Sequence, residues 1–559
     1  MNLPWTSHYD PDVPLEVEPA TASLPEILLQ AAARSPQAPA LAFFGRRITY
    51  GQLEDQTARL AQGLKSLGLA KGHRLAILLP NSPQLVAAYH AALRLGAVAV
   101  FLNPLLGPKE LAFQLADSGA QLLVVLDHLM PKLNEARKKV EISHLIITSL
   151  ADALPFPLNW LYPIKAWREG LAQGFTQGQD RSRWRDLLKF PRLEESPAPD
   201  SRDLAVLQYT GGTTGTPKAA MLTHGNLMSN VAQINAWLPQ VRYGEERMVG
   251  LLPMSHIFGL TVCLNWPMSQ GALILILPRF ELDGFIRTLE KHRPTMLPGV
   301  PTLFVALIND PRLPRLDMTS LWACISGSAP LPLEVRERFE AISGCRIIEG
   351  YGLTEASPVT HFNPIRGPRP LGSMGIPFPG TLAKVMDQET GTLEMPPGEV
   401  GELVIKGPQV MQGYWQKLQE TAMALRDGWL YTGDLARMDE SGYFYIVERK
   451  KDLIISGGYN IYPREVEEVL YQHPGVKEAV AFGVPDEYRG EVVKVVIVPQ
   501  DGALFTVKDI QEHCRGELAV YKVPRIVEFR QELPKSLVGK VLRRVLREES
   551  VSGGGASPS

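Results

Sequence analysis

Cysteine is scarce in this chain of 559 residues: four occur, Cys263, Cys324, Cys345 and Cys514, scattered with no C-x-x-C pair. That excludes a disulfide framework and a cysteine zinc site, and it fits reduced thiols. Cys263 and Cys324 lie in apolar stretches and are expected in the core. An excess of charge of one sign is also missing. With 57 basic and 59 acidic side chains the net charge is −2, so no global field points to nucleic acid as a partner. No apolar run reaches the ~18 residues that a membrane span needs. Residues 1–10 carry neither the basic nor the apolar block of a secretory signal, so a cytoplasmic location is expected. No internal repeat of fixed period is visible. What is present is ordinary for a globular protein, 45% hydrophobic and 21% charged residues. The length calls for several domains, since single cores stop growing near roughly 250–300 residues.

After an extended, proline- and acid-rich lead-in, two periodicities alternate. Helical spacing over 24–33, 53–67, 83–95 and 111–117 alternates with strand-like runs over 40–44, 47–50, 74–79, 97–102 and 121–126. The rhythm resumes after Ser201, with strands at 204–207, 247–252, 272–277, 295–300, 321–326 and 346–350 and helices at 257–268, 280–292 and 333–342. Strand 295–300 is expected to run into a Pro298–Pro301 turn. The pattern predicts an α/β fold: a large N-terminal domain, 1–448, of doubly wound parallel sheets with helices on both faces. From 372 to 410 glycine and proline rise and helical periodicity fades, which predicts a small β-rich subdomain over about 372–448. Beyond a charged break, strands at 479–484 and 492–498 and helices at 463–472, 507–518 and 540–548 predict a small α+β C-terminal domain, 452–550. The Gly/Ser-rich tail, 551–559, is expected to be disordered.

One stretch breaks the rhythm. Residues 154–192 mix Phe156, Trp160, Leu161, Tyr162, Trp167, Phe175 and Trp184 with Lys165, Arg168, Arg181, Arg183, Arg185, Lys189 and Arg192. Aromatics among basic residues suit a membrane–water interface. An inserted loop with its own small core explains them equally well.

The chain is organised around Tyr209 to Lys218, Y-T-G-G-T-T-G-T-P-K. It is read as a flexible loop between a buried strand and a helix. Free backbone N–H groups, threonine hydroxyls and the Lys218 ammonium suit the oxygens of a polyphosphate. It is not the G-x-x-x-x-G-K-[ST] loop, because Thr216-Pro217 separates the last glycine from the lysine. Alone, it would pass for a surface turn. Five further stretches accompany it: Ser326-Gly327-Ser328-Ala329-Pro330, Gly350-Tyr351-Gly352-Leu353-Thr354-Glu355, the acidic turn ending at Thr432-Gly433-Asp434, the run from Arg449 through Gly457-Gly458 to Glu467, and Pro534-Lys535-Ser536-Leu537-Val538-Gly539-Lys540.

In this order the six stretches resemble the adenylate-forming superfamily, over essentially the whole chain; within it, the opening Trp5 to Pro14, the doubled glycine of the Y-T-G-G-T-T-G loop, Pro253-Met254-Ser255-His256 and the run Asp427 to Pro463 resemble the bacterial long-chain fatty acid–CoA ligases. The resemblance implies ATP, CoA and Mg²⁺, with fatty acid and CoA as substrates. Acid and ATP would give an acyl-adenylate and pyrophosphate; CoA would then displace AMP. Residue by residue, it implies that Thr210, Gly211, Gly212, Thr213, Thr214, Gly215 and Lys218 wrap the phosphates. Thr354 would touch the α-phosphate, and Glu355, with Thr213, would hold the metal. Tyr351 would stack on adenine beside Gly327, Ser328 and Ala329. Asp434 and Arg449 would bind the ribose. Lys540 would bridge carboxylate and α-phosphate, His256 would line the acyl site, and Gly457 and Gly458 would admit the pantetheine thiol. The acyl tunnel would run along 256–264 and 298–304. Residues 449–450 would link to a hinge at Lys451, about which the small domain turns between the two half-reactions. One departure stands out: the family's glycine after the loop lysine is Ala219 here, whose methyl group would resist a positive φ.

Other functions remain open at this level. A relative could load a carrier protein or take an aryl acid. A phosphotransferase would release ADP, and a nucleotide or fatty-acid sensor would bind without turnover. Peripheral contact with the inner face of the membrane and a homodimer are further options for partners.

Overall fold

The computed structural model describes residues 3–169, 178–194, 199–210, 217–456, 459–486, 488–536 and 539–552. Among these residues four sheets form. In the first, the strand order is Gly413–Tyr414, Lys218–Thr223, Leu204–Thr210, Val98–Phe101, Arg74–Leu78, Leu122–Leu126, His144–Thr148 and Arg181–Arg183. Its central strands are short apolar runs, buried along almost their whole length, as parallel strands covered on both faces must be. The second sheet runs from Ile376–Pro377 through Val359–Phe362, Ile347–Gly352, Ala323–Ser326, Met296–Gly299, Arg247–Gly250 and Leu273–Ile276 to the hairpin Pro39–Phe43 and Arg46–Thr49. Helices such as Tyr50–Ser66 and Pro83–Arg94 fill the layers between and around them; Thr49 caps the first of these through Gln52 N–H. One continuous core takes in the first sheet, and a second takes in the other, anchored by Trp237, Trp266, Phe304 and Phe339.

The third sheet is antiparallel, with Trp429–Met438 between Gly401–Lys406 and Phe444–Arg449. The fourth belongs to the small C-terminal unit. There Gly490–Pro499 pairs along its length with Val476–Asp486, and Ile526–Phe529 adds in parallel. Helices Pro463–Tyr471 and Val507–Glu517 cover one face and Arg543–Ser552 is attached to Val476–Asp486. This is the α/β body with a small β-rich part and an α+β C-terminal unit that the periodicities predict. No helix among the described residues is long and apolar enough to cross a membrane.

Four expectations need correction. The glycine- and threonine-rich loop joins two antiparallel strands, Leu204–Thr210 and Lys218–Thr223, and not a strand and a helix. The helix His224–Trp237 starts only after the second strand, so its dipole does not meet the loop directly. The turn expected after Pro298 is instead the start of a helix, Pro301–Ile308, because Pro301 occupies a first-turn position where its missing N–H costs nothing. Lys540 precedes the last helix instead of opening it. Residues 154–192 divide: Leu158–Arg168 is a helix on the surface, whereas Arg181–Arg183 and Trp184–Leu187 join the first sheet and its core. The expected disordered tail lies, from residue 553 on, outside the described residues.

Ala219 raises no backbone difficulty. It is buried in the second strand of the hairpin, opposite Tyr209, and is not among the described residues with positive φ.

Candidate active site

Ala323–Ser326 and Ile347–Gly352 run parallel and side by side, so their carboxyl ends sit together, the end at which ligands bind in open α/β sheets; Tyr414, on the edge of the Leu204–Thr210 hairpin, links the first sheet to them through Glu355. Each of these strands ends in one of the stretches singled out in the sequence. Gly352 allows the sharp exit from its strand: a Cβ there would lie 2.2 Å from the Pro358 carbonyl oxygen. Thr354 and Glu355 follow in a single 3-10 turn.

On one wall, Asp434 is 3% exposed. It stands opposite Arg449 in the third sheet. Arg449 Nε lies 3.0 Å from Asp434 Oδ1, and the Tyr351 hydroxyl donates to Oδ2 at 2.6 Å. Burial, then the Asp434 charge, pushes the Tyr351 hydroxyl far up, so it stays a donor. A carboxylate offers about four lone-pair sites; two are used, which leaves room for two hydroxyl donors. Gly327 packs on the Phe258 ring behind Tyr351's strand, and Ser328, at φ +70°, turns outward with Ala329 beside it.

On the floor, Glu355 Oε1 accepts from the Tyr414 hydroxyl at 2.8 Å. Among the described residues its Oε2 accepts no hydrogen bond, and no cluster of three or more metal-ligating side chains occurs. Lys218 Nζ lies 5.3 Å from the centre of the Tyr414 ring. Thr210 ends the strand before the loop and its hydroxyl donates to the Lys218 carbonyl at 3.3 Å. Gly211, Gly212, Thr213, Thr214 and Gly215 lie outside the described residues, as do Gly457 and Gly458.

From the other side comes the small unit. Lys540 reaches into the cleft with its side chain open to solvent there. The surrounding walls still crowd out part of the water around its ammonium, and this, then the like charge of Arg449, pushes its pKa down to about 8. His256 caps the helix Ile257–Leu260, its Nδ1 accepting from Phe258 N–H at 3.3 Å. Burial, and then the charge on Lys540, lower its pKa to about 4, so the ring is neutral at physiological pH with its proton on Nε2. Lys451 is exposed, in the turn after Arg449.

Sequence reasoning missed a second set of contacts. Glu448, at the end of the third sheet, accepts from Arg543 Nη1 at 2.9 Å and from Arg464 N–H at 3.1 Å. Arg543 also grips Glu467 at 2.7 Å. The contacts of Glu448 with Arg543 and Arg464 cross Lys451 and join the body to the small unit, while Glu467 braces Arg543 within that unit. In the sequence Glu448 looks like one more member of a charge run. Tyr414 was missed as well: its partners are 59 residues upstream for Glu355 and farther still for Lys218.

The matches to known proteins follow this geometry. Residues 28–415 match the AMP-binding enzyme family, and residues 465–540 match the AMP-binding enzyme C-terminal domain. The chain belongs to the AMP-binding enzyme family. Among curated members it is 44% identical over 549 residues to the long-chain-fatty-acid–CoA ligase of Bacillus subtilis (strain 168), with 98% of each chain covered. Among solved members it is similar to ATP-bound MatB from Rhodopseudomonas palustris, 31% identical, covering 95% of this chain and 99% of that one, with a TM-score of 0.83. Against the apo form of MatB, at the same coverage, the TM-score is 0.72.

Proposed function

We propose that this enzyme joins a medium- or long-chain fatty acid to CoA through an acyl-adenylate, with release of AMP and pyrophosphate. The observation that carries the reading is the full-length likeness to the Bacillus subtilis ligase. The cleft is chemically suited to it. Asp434 has lone pairs free for ribose hydroxyls, and Tyr351 offers a ring for adenine. Lys218 and the loop before it would hold the β- and γ-phosphates, with Thr354 at the α-phosphate. Glu355 fits Mg²⁺, a hard cation that takes one or two carboxylates plus phosphate oxygens and water, because Oε2 is the oxygen that Tyr414 leaves free. When bound, the ion would draw charge from the phosphates.

In the first step a substrate carboxylate oxygen bonds to the α-phosphorus and the bond from that phosphorus to the pyrophosphate oxygen breaks. Lys540 supplies the positive charge where two anions meet. In the second, the CoA sulfur bonds to the acyl carbon, its proton goes to solvent, and AMP leaves. His256, made a weak base by burial and with its Nδ1 lone pair taken by Phe258 N–H, is read as a lining residue and hydrogen-bond donor and not as a base. The apolar helices Ile257–Leu260 and Pro301–Ile308 would wall the acyl tunnel. We place the large domain at 1–448, the small one at 452–550 and the hinge at Lys451. The arrangement with Lys540 in the cleft is read as the adenylate-forming one, in keeping with the closer match to ATP-bound MatB. The experiment is release of AMP with CoA across acids from acetate to oleate. Turnover that rises with chain length is expected; release of ADP, or preference for an aryl acid, would overturn the reading.

The helix Leu158–Arg168 bears on location. Trp160, Leu161, Ile164 and Trp167 recur at helical spacing, and all four face solvent, Trp160 at 78% and Trp167 at 74% exposure, while Ala166 is the buried residue. Lys165 and Arg168 flank the stripe. An outward apolar stripe edged with cations suits the headgroup level of an anionic bilayer, and we assign it to peripheral membrane contact. Trp160→Ser with Trp167→Ser should abolish co-sedimentation with phosphatidylglycerol vesicles; unchanged sedimentation would sink the assignment.

A further inference from the structure

Tyr414 stands outside every motif named in the sequence, yet it touches two of the side chains proposed to act on the phosphates. The strand Gly413–Tyr414 lies along the edge of the loop hairpin, with Tyr414 opposite Ala220. The next residue locks this register: Trp415 N–H donates to the Ala219 carbonyl at 2.8 Å, and its indole N–H to the Asp117 carbonyl at 3.0 Å. Tyr414 N–H donates to Thr421 Oγ1 at 2.9 Å. The ring is therefore fixed from its backbone outward. Its hydroxyl donates to Glu355 Oε1 at 2.8 Å, and its face lies 5.3 Å from Lys218 Nζ, within cation–π range. Met411, on the same segment, donates its N–H to the Glu355 carbonyl at 2.8 Å, so this segment holds both ends of the glutamate.

We propose that Tyr414 is a positioning residue: it turns the Glu355 carboxylate so that Oε2 faces the cleft, and holds the Lys218 ammonium at a set distance from it, so that a divalent cation and the triphosphate are gripped together. A group that orients a metal ligand without touching the metal commonly tunes metal affinity by about 10- to 100-fold. The hydroxyl remains a donor at every physiological pH, since burial and the Glu355 charge push its pKa far up. The inference rests on the reading of Lys218 and Glu355 given above.

The two halves of the contact can be removed separately. Tyr414→Phe keeps the ring under Lys218 and removes the hydrogen bond to Glu355; Tyr414→Leu removes both. ATP is titrated calorimetrically into the full-length enzyme at a series of Mg²⁺ concentrations. Tyr414→Phe should raise the Mg²⁺ midpoint about tenfold and leave ATP affinity at saturating Mg²⁺ close to wild type. Tyr414→Leu should also weaken ATP binding in the absence of Mg²⁺. Glu355→Gln is the control for the underlying reading, and thermal melting of each variant separates positioning from a simple loss of stability. If Glu355→Gln moves the Mg²⁺ midpoint and Tyr414→Phe does not, the positioning role is wrong while the metal reading stands. If Glu355→Gln does not move it, the metal reading falls and takes this inference with it.

Discussion

The two walls of the cleft are held by different means. On the body side, Asp434 is buried and already engaged by Tyr351 at 2.6 Å and by Arg449 at 3.0 Å, and strand register places it opposite Arg449. On the small-unit side, Lys540 stands on a loop. The described contacts of Lys540 are backbone ones, its N–H to Ser536 Oγ at 3.2 Å and its carbonyl from Ser536 N–H at 2.8 Å. No ion pair holds its ammonium among the described residues. A wall with its dipoles set in advance binds the part of the substrate common to both half-reactions. A wall whose cation arrives on a loop serves one half-reaction and can leave for the other. On the proposed reading the Glu448–Arg543 ion pair, with Arg543 braced by Glu467 inside the small unit, would be the catch that keeps the cation in place.

Lys540→Ala should break this comparison most visibly. Loss of one charge aimed at a transition state costs about 10²–10³-fold, and that loss is expected in adenylate formation, followed as pyrophosphate release. Thioester formation from supplied acyl-adenylate should survive. Equal loss in both steps would mean that the two walls do not divide the work. The wild type carries a pH signature of the same residue. On the proposed reading the ammonium is the form required, and its pKa in the free enzyme is lowered to about 8. The kcat/KM for ATP should therefore hold below that pH and fall as pH rises through it, well before an ordinary lysine would lose its proton. Lys540→Arg, charged throughout, should remove that limb.

Asp434→Asn tests the opposite wall. Hydrogen bonds to a charged partner are worth about 1.5–3 kcal/mol, so the KM for ATP should rise by about 10- to 100-fold. Here both half-reactions should suffer, because the acyl-adenylate keeps the ribose that ATP brought. An effect confined to the first step would sink the idea of a shared wall.

How far the sequence could be read follows from the same contrast. Buried parallel strands such as Arg74–Leu78 and Leu122–Leu126 announce themselves as short apolar runs between helical periodicities. The hairpin strand Lys218–Thr223 does not. Its two buried alanines, Ala219 and Ala220, break the alternation of a half-buried strand, so it reads as a connection. Asp434, Arg449, Glu355 and Lys540 are legible because each sits in a local motif. Tyr414 and the Glu448–Arg543 pair are not, because their meaning lies in partners 59 and 95 residues away. No local pattern encodes contacts of that range; strand register and the seating of the small unit create them. Ala219 shows the reverse case. A departure from the family's glycine looks costly in a loop and proves to need no positive φ in a strand.

The smallest effect gives the finest test of how Lys540 is delivered. Gly539 sits at φ +70°, and a Cβ there would lie 2.8 Å from Thr302 Oγ1, on the helix Pro301–Ile308 of the body. Gly539→Ala therefore carries two penalties, a left-handed backbone worth about 1–2 kcal/mol and a clash that exists only while the loop is seated. Adenylate formation should slow roughly fivefold or more, and thioester formation from supplied acyl-adenylate should be spared. Adding Thr302→Ala removes the hydroxyl and leaves the backbone strain. The double variant should therefore recover part of the lost rate and not all of it. Full recovery would assign the whole cost to the contact with the body; none would assign it to the backbone. Slowing of both half-reactions alike would mean that the loop does not leave the cleft between them.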